Sequence, residues 1–116
     1  MKARVKKVRP RMDWPAVLAL QIAATQRLAC VRELKFHPIR KWRFDLSLPL
    51  QNLAIEVDGG GFVMGRHSRG AGMAADAEKF AEAAILGWTV IRVTPQQVQN
   101  GQALGWVERL LERRAA

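Results

Sequence analysis

Two short runs in the middle of the chain alternate apolar and polar residues. One is Arg43-Phe44-Asp45-Leu46-Ser47-Leu48, the other Leu53-Ala54-Ile55-Glu56-Val57-Asp58, and Pro49-Leu50-Gln51-Asn52 lies between them as a short polar-ended loop. A hairpin centred on that loop pairs Leu48 with Leu53, Leu46 with Ile55, Asp45 with Glu56 and Phe44 with Val57. Phe44, Leu46, Ile55 and Val57 then share an apolar face. Asp45 stands opposite Glu56 on the other, with β-carbons about 4.5–5.5 Å apart. Like charges facing each other destabilise a ladder. A divalent cation held by their oxygens reverses that sign. The pattern predicts a metal-dependent enzyme.

The flanking segments supply the rest of an α/β domain. Asp13-Trp14-Pro15 is a helix start, with Asp as N-cap and Pro in the first turn. That helix is expected to run to about Ala29, with Leu18, Ile22, Thr25 and Ala29 on one stripe. Leu34-Lys35-Phe36-His37 alternates weakly before Pro38 and predicts a short edge strand. Gly59 to Gly72 is expected to be a mobile stretch, carrying Arg66, His67, Ser68 and Arg69. A second helix is predicted from about Met73 to Leu86, with Gly87 as its stop. Its packed face is expected to be Met73, Ala77, Phe80 and Ala84, with Asp76 and Lys79 on a shoulder and Glu78 and Glu82 solvated. Trp88 to Val93 is a β-branched strand. Thr94-Pro95 caps a last helical region, broken near Asn100-Gly101 and resumed with Leu104, Val107 and Leu111, flanked by Trp106 and Leu110. The order is helix, three strands, helix, strand, helix. The second helix serves as a right-handed crossover between parallel neighbours of a mixed sheet.

Charge changes the picture more than size does. The 116 residues fit a basic flexible arm over residues 1–12, with Lys6 and Lys7 among its cations, and a single domain over 13–116. Nineteen Lys and Arg against ten Asp and Glu give +9 and a pI near 11.1, which predicts a polyanionic partner. Cys30 is alone, which excludes an internal disulfide and a thiolate zinc cluster; it is expected to be a small buried hydrophobe. The longest apolar stretch, Ala16 to Leu20, is too short to cross a bilayer, and the N-terminal segment lacks the hydrophobic core of a signal peptide. A soluble cytoplasmic protein with no membrane partner is expected.

Two side chains carry open alternatives. Lys79 either reaches the carboxylates from the second helix or forms an intrahelical ion pair with Asp76 or Glu82. His67, between Arg66 and Arg69, is either an acid, base or water-positioner beside a metal, or a loop residue on phosphate or on nothing. The glycine-flanked arginines themselves suit a phosphate backbone. With Lys41, Arg43, Lys6 and Lys7 they make up the expected nucleic-acid contacts.

The runs Trp42-Arg43-Phe44-Asp45, Leu53 to Gly59, Arg66-His67, Asp76-Ala77-Glu78-Lys79 and Gly87 to Val93 together resemble the PD-(D/E)XK nuclease superfamily. Within it they are most similar to the small very-short-patch-repair-like branch and its phage relatives, over about Leu34 to Val93. The resemblance implies a restriction-endonuclease-like αβββαβ core, a mixed four-stranded sheet flanked by helices. It implies that Asp45 is the metal-binding aspartate, Glu56 the acid of the E-X-K element and the Val57 carbonyl a further ligand. It also implies a polar residue of the first helix near the metal, for which Gln21 is the candidate. This chain departs from the pattern at Asp58, which stands where the superfamily has lysine. The lysine role has then moved to Lys79, been taken by His67, or vanished; a site needing a cation near the phosphate favours Lys79. Asp58 is either an extra ligand or the cap of the glycine turn.

The function expected is a Mg²⁺-dependent DNA endonuclease, with Mn²⁺ as substitute ion, structure-directed or weakly sequence-specific: nicking, mismatch or branched-DNA processing. Cutting both strands would require two sites and so a homodimer. The alternative is a catalytically inactive nuclease-fold DNA-binding module. A third reading is an RNA-directed nuclease, since nothing in the residues distinguishes the sugar.

Overall fold

The computed structural model describes residues 11–59 and 71–115. Lys6, Lys7, Arg66, His67 and Arg69 lie outside those residues, as does most of the Gly59–Gly72 stretch. The element order is α1 (Trp14–Gln26), β1 (Val31–Lys35), β2 (Arg43–Leu48), β3 (Leu53–Val57), α2 (Ala71–Ile85), β4 (Thr89–Val93), α3 (Pro95–Gln99) and α4 (Gln102–Ala115). The strands form one mixed sheet in the order β1-β2-β3-β4. The first two pairings are antiparallel and β3 with β4 is parallel, with α2 in the crossover between them. This is the α/β fold that the segment order predicts. No described helix is long and apolar enough to cross a membrane.

Local chemistry fixes most boundaries. Asp13 accepts the Ala16 N–H at 3.0 Å and so caps α1. The helix ends at Gln26, three residues short of the expected Ala29, with Arg27 as its C-cap in the left-handed region at φ 55°. Thr25, within the helix, and Ala29, beyond it, are both exposed, and only Leu18 and Ile22 of the predicted stripe are buried. Pro49–Gln51 makes a 3₁₀ turn that Asn52 closes at φ 52°, donating its N–H to the Pro49 carbonyl. That turn sets the hairpin register, Leu46 opposite Ile55 and Leu48 opposite Leu53, as the alternation predicts. A capping box between Thr94 and Gln97 starts α3.

The sheet has two unlike faces. On one, Leu18 and Ile22 of α1, Val98 of α3 and Ala103 and Val107 of α4 pack with Leu46, Leu48, Leu53, Ile55 and Val93. On the other, α2 covers a smaller cluster of Phe44, Ala54 and Ala83, bordered by Phe36, Trp88 and Val90. Phe44 corrects the expected alternation: it lies on the α2 face, while Leu46 lies on the opposite one. The regular pairing lapses at the residue between them. Asp45 has no ladder partner on either side, and Glu33, the residue it would face on β1, has φ 54°.

Helix α2 is also rotated relative to expectation. Met73, Ala77 and Ala84 are exposed, whereas Asp76, Lys79, Phe80 and Ala83 turn inward. Phe80 is the one member of the expected stripe that packs, joined by Ala83 and by Lys79 from the expected shoulder, while Asp76 stays half-exposed at the border. Glu82 is not simply solvated either: it bonds His37 Nε2 at 2.9 Å, and His37 Nδ1 accepts the Ile39 and Arg40 N–H groups. Arg40 meets Glu78 in turn, so two acids one helical turn apart hold the β1–β2 loop against α2.

Candidate active site

Where the β2–β3 ladder lapses, side chains take over its hydrogen bonds. The Asp45 N–H donates to Glu56 Oε2 at 3.0 Å, and the Val57 N–H donates to Asp45 Oδ2 at 2.8 Å. Each carboxylate is thus fixed by the backbone of the opposite strand. The two acids are brought together because of a local defect in the ladder, not by undisturbed alternation. Charge-assisted bonds to main-chain N–H groups are among the stronger polar contacts and lock both rotamers.

Lys79 completes the group from above. Its ammonium pairs with Glu56 Oε1, and it lies 5.9 Å from the Phe44 ring centre and 5.5 Å from that of Phe80. Of the two alternatives for Lys79, the structure has the reach to the carboxylates and not the intrahelical pair. Glu56 is only 7% exposed. Burial pushes its carboxyl above the ordinary range, while the hydrogen bond from Lys79 and that from the Asp45 N–H pull against the rise.

Around this core lies a second charged pair. Arg92 is the register partner of Glu56 on β4, and its Nε donates to Asp58 Oδ2 at 2.7 Å. Its Nη2 lies 3.7 Å from Asp76 Oδ2, and its guanidinium stacks 4.9 Å from the Phe80 ring centre. These groups line a cleft of about 280 Å³. Gly59 closes one end at φ 118°; a Cβ there would stand 2.9 Å from Pro95 Cδ, so no other residue fits without movement. Arg92 is a member of this site that the sequence pattern alone does not mark. The signal that could find it is a lone cation in a β-branched strand predicted to lie parallel beside the one carrying Glu56.

The other predicted residues are spread out. Lys41 and Arg43 are exposed near the start of β2. Gln21 is on the opposite face of the sheet, donating from Nε2 to the Val98 carbonyl at 3.2 Å, and does not line the cleft.

Four carboxylates, Asp45, Glu56, Asp58 and Asp76, face two cations, Lys79 and Arg92, in a chain that is strongly basic overall. The cleft is therefore a local acidic spot. Its donors are all hard oxygens, with no thiol or imidazole among the described residues, which suits Mg²⁺ or Mn²⁺ over softer ions. Among the described residues no three His, Cys, Asp or Glu side chains converge in a metal-holding arrangement. A cation here would rest on one or two carboxylates and keep several waters, the usual habit of Mg²⁺.

The same arrangement of strands and helices occurs in a solved nuclease. The chain shares the fold of a homing endonuclease catalytic domain. That domain, of I-Bth0305I, has a TM-score of 0.62 and 16% identity to this chain, covering 88% of it and 97% of the domain. No protein-family profile matches the sequence, and no curated protein matches it. At that identity the likeness to the I-Bth0305I domain is one of fold.

Proposed function

We propose that the chain is a Mg²⁺-dependent DNA endonuclease that hydrolyses phosphodiester bonds. One observation carries this reading: two carboxylates each fixed by a backbone N–H of the opposite strand, β2 or β3, with a lysine on top, in a nuclease fold. Asp45 and Glu56 would hold the cation, and the Val57 carbonyl and the Asp58 carboxylate are the neighbouring oxygen donors. A cation bound there lowers the pKa of a water and offsets charge on the phosphodiester. Lys79 is within reach to stabilise a phosphate oxygen or orient the attacking water. The basic charge of the rest of the chain would draw DNA to this acidic spot. Cleavage is read as structure-directed or weakly sequence-specific, and a cut in both strands would take two copies. His67, Arg66, Arg69, Lys6 and Lys7 would supply further phosphate contacts.

A second reading has one observation in its favour. Asp58 occupies the place where nucleases of the resembled superfamily carry lysine, and it is already neutralised by Arg92. On that reading the chain is a catalytically inactive DNA-binding module. Incubation with duplex, single-stranded, mismatched and four-way-junction DNA, with Mg²⁺ and with chelator, separates the two. The endonuclease cleaves at least one of these only with the metal present. Binding without cleavage, and no Mg²⁺-induced rise in melting temperature, would leave the inactive module.

A further inference from the structure

Beside the cleft lies a second groove of opposite charge. Trp106, Arg109, Leu110 and Arg113 share one stripe of α4 by three- and four-residue spacing. With Ile91 and Arg92 of β4 they wall a groove of about 650 Å³. β4 is an edge strand, so no further strand of the sheet covers this side. Arg109 and Arg113 are exposed, and among the described residues neither lies within ion-pairing distance of a carboxylate. Trp106 is half-buried, its ring partly packed on the core. No carboxylate lines the groove, and Arg92 borders both the groove and the acidic cleft.

We infer that this groove binds a single-stranded segment of nucleic acid that continues from the bond held in the cleft. Arg109 and Arg113 are one turn apart, about 6 Å along the axis, a spacing of the order of that between neighbouring phosphates of an extended strand. The half-buried indole on the groove wall offers a flat apolar surface, which an unpaired base can stack on and a paired one cannot reach. Arg109 and Arg113, without carboxylate partners among the described residues, and the absence of acid from the groove wall select an anionic occupant; Arg92, already paired with Asp58, marks the border with the cleft. Continuity through Arg92 selects the strand already engaged in the cleft. In this last respect the inference rests on the nuclease reading of the site.

Binding and cleavage can be measured apart. The full chain, in chelator, is titrated against a fluorescein-labelled twelve-nucleotide oligothymidine, and anisotropy is followed over a range of salt. Two charge-matched variants are compared: Arg109→Gln with Arg113→Gln in the groove, and Arg32→Gln with Lys35→Gln on β1, the opposite edge of the sheet. The groove pair should lose about tenfold in affinity and flatten the slope of log K against log salt by about 1.4, two phosphates' worth for a single strand. The far-edge pair should lose less and keep most of the slope. Trp106→Leu should weaken binding at an unchanged slope, because it removes stacking and no charge. Equal losses in the two pairs, an unchanged groove pair, or no binding by the wild type would overturn the groove. So would a groove pair that only dissociates a dimer, or only releases the protein from phosphatidylserine vesicles. Cleavage assayed in parallel with Mg²⁺ keeps the two ideas separate. A wild type that binds through the groove yet cuts nothing defeats the nuclease reading alone, and intact cutting with unaltered binding defeats the groove alone.

Discussion

The two faces of the sheet use the same strands for opposite ends. The face under α1, α3 and α4 holds ten fully buried apolar residues and, apart from Gln21, little polar business. The face under α2 buries only Phe44, Ala54 and Ala83 completely, and beside them keeps Glu56 and Lys79, at 9% and 17% side-chain exposure. Each fully buried Leu or Ile on the first face contributes about 1.5–3 kcal/mol. A buried ion pair contributes little net stability, because desolvation offsets attraction. One face stabilises the sheet so that the other can hold charges in a half-dry cleft. Backbone irregularity follows the same division: the lapse in pairing falls at Asp45, on the charged side, while the ladder from Leu46 to Leu48 is regular.

The sharpest way to break this comparison is to cross the faces. Leu46→Ala should cost about 2–5 kcal/mol in urea unfolding while the folded fraction keeps its cleavage rate. Asp45→Asn should do the reverse: Mg²⁺-dependent cleavage falls by orders of magnitude, and the unfolding midpoint moves little because the amide oxygen can still accept the Val57 N–H. Loss of activity in Leu46→Ala beyond its unfolded fraction, or a large loss of stability in Asp45→Asn, would mean that the faces do not divide the labour.

Lys79→Met gives a smaller effect with a definite pH signature. It strands the Glu56 carboxylate, whose titration burial has already raised, without its counter-ion. In chelator at pH 7 the variant should lose about 2 kcal/mol, less than the roughly 3–5 kcal/mol of breaking a fully buried pair, since Lys79 keeps some exposure. A raised carboxyl is protonated in the fold at a pH where the unfolded chain is still ionised. The penalty therefore exists above the folded pKa of Glu56 and fades as pH falls through it. Unfolding curves of wild type and variant should converge on acidification. A gap constant with pH would show that Lys79 stabilises by packing on Phe44 and Phe80 instead.

What the sequence disclosed divides along the same line. The turn at Pro49–Asn52 and the alternation around it determine the register, because a shift by one would bury Ser47 and Ala54 in place of Leu46 and Ile55 on the larger core. The parallel β3–β4 pairing follows from the helix between the strands. The α2 side was less legible. Its alanine-rich helix has a weak apolar stripe, so its rotation is decided by long-range pairs: Lys79 to Glu56, Arg92 to Asp76 and His37 to Glu82. No local period contains those contacts. Phe44 departs from the alternation because alternation holds only for an unbroken strand, and the ladder breaks at Asp45, whose N–H goes to the Glu56 side chain.

The smallest effect tests the one polar flaw in the structural face. Gln21 donates to the Val98 carbonyl, but its Oε1 is buried without a hydrogen-bond partner among the described residues. A desolvated acceptor left unpaired costs about 1–3 kcal/mol, whereas the bond it accompanies is worth about 1. The Val98 carbonyl would not be orphaned by the loss of Gln21, since it also accepts the Asn100 and Gly101 N–H groups. Gln21→Met, similar in volume and without the orphan, should therefore be neutral or stabilising by about 1 kcal/mol in urea unfolding. Its cleavage rate should equal that of the wild type, because the residue is separated from the cleft by the sheet itself. A drop in activity at unchanged stability would return Gln21 to the neighbourhood of the metal, where the superfamily resemblance had it, and would require α1 to sit differently in the active protein.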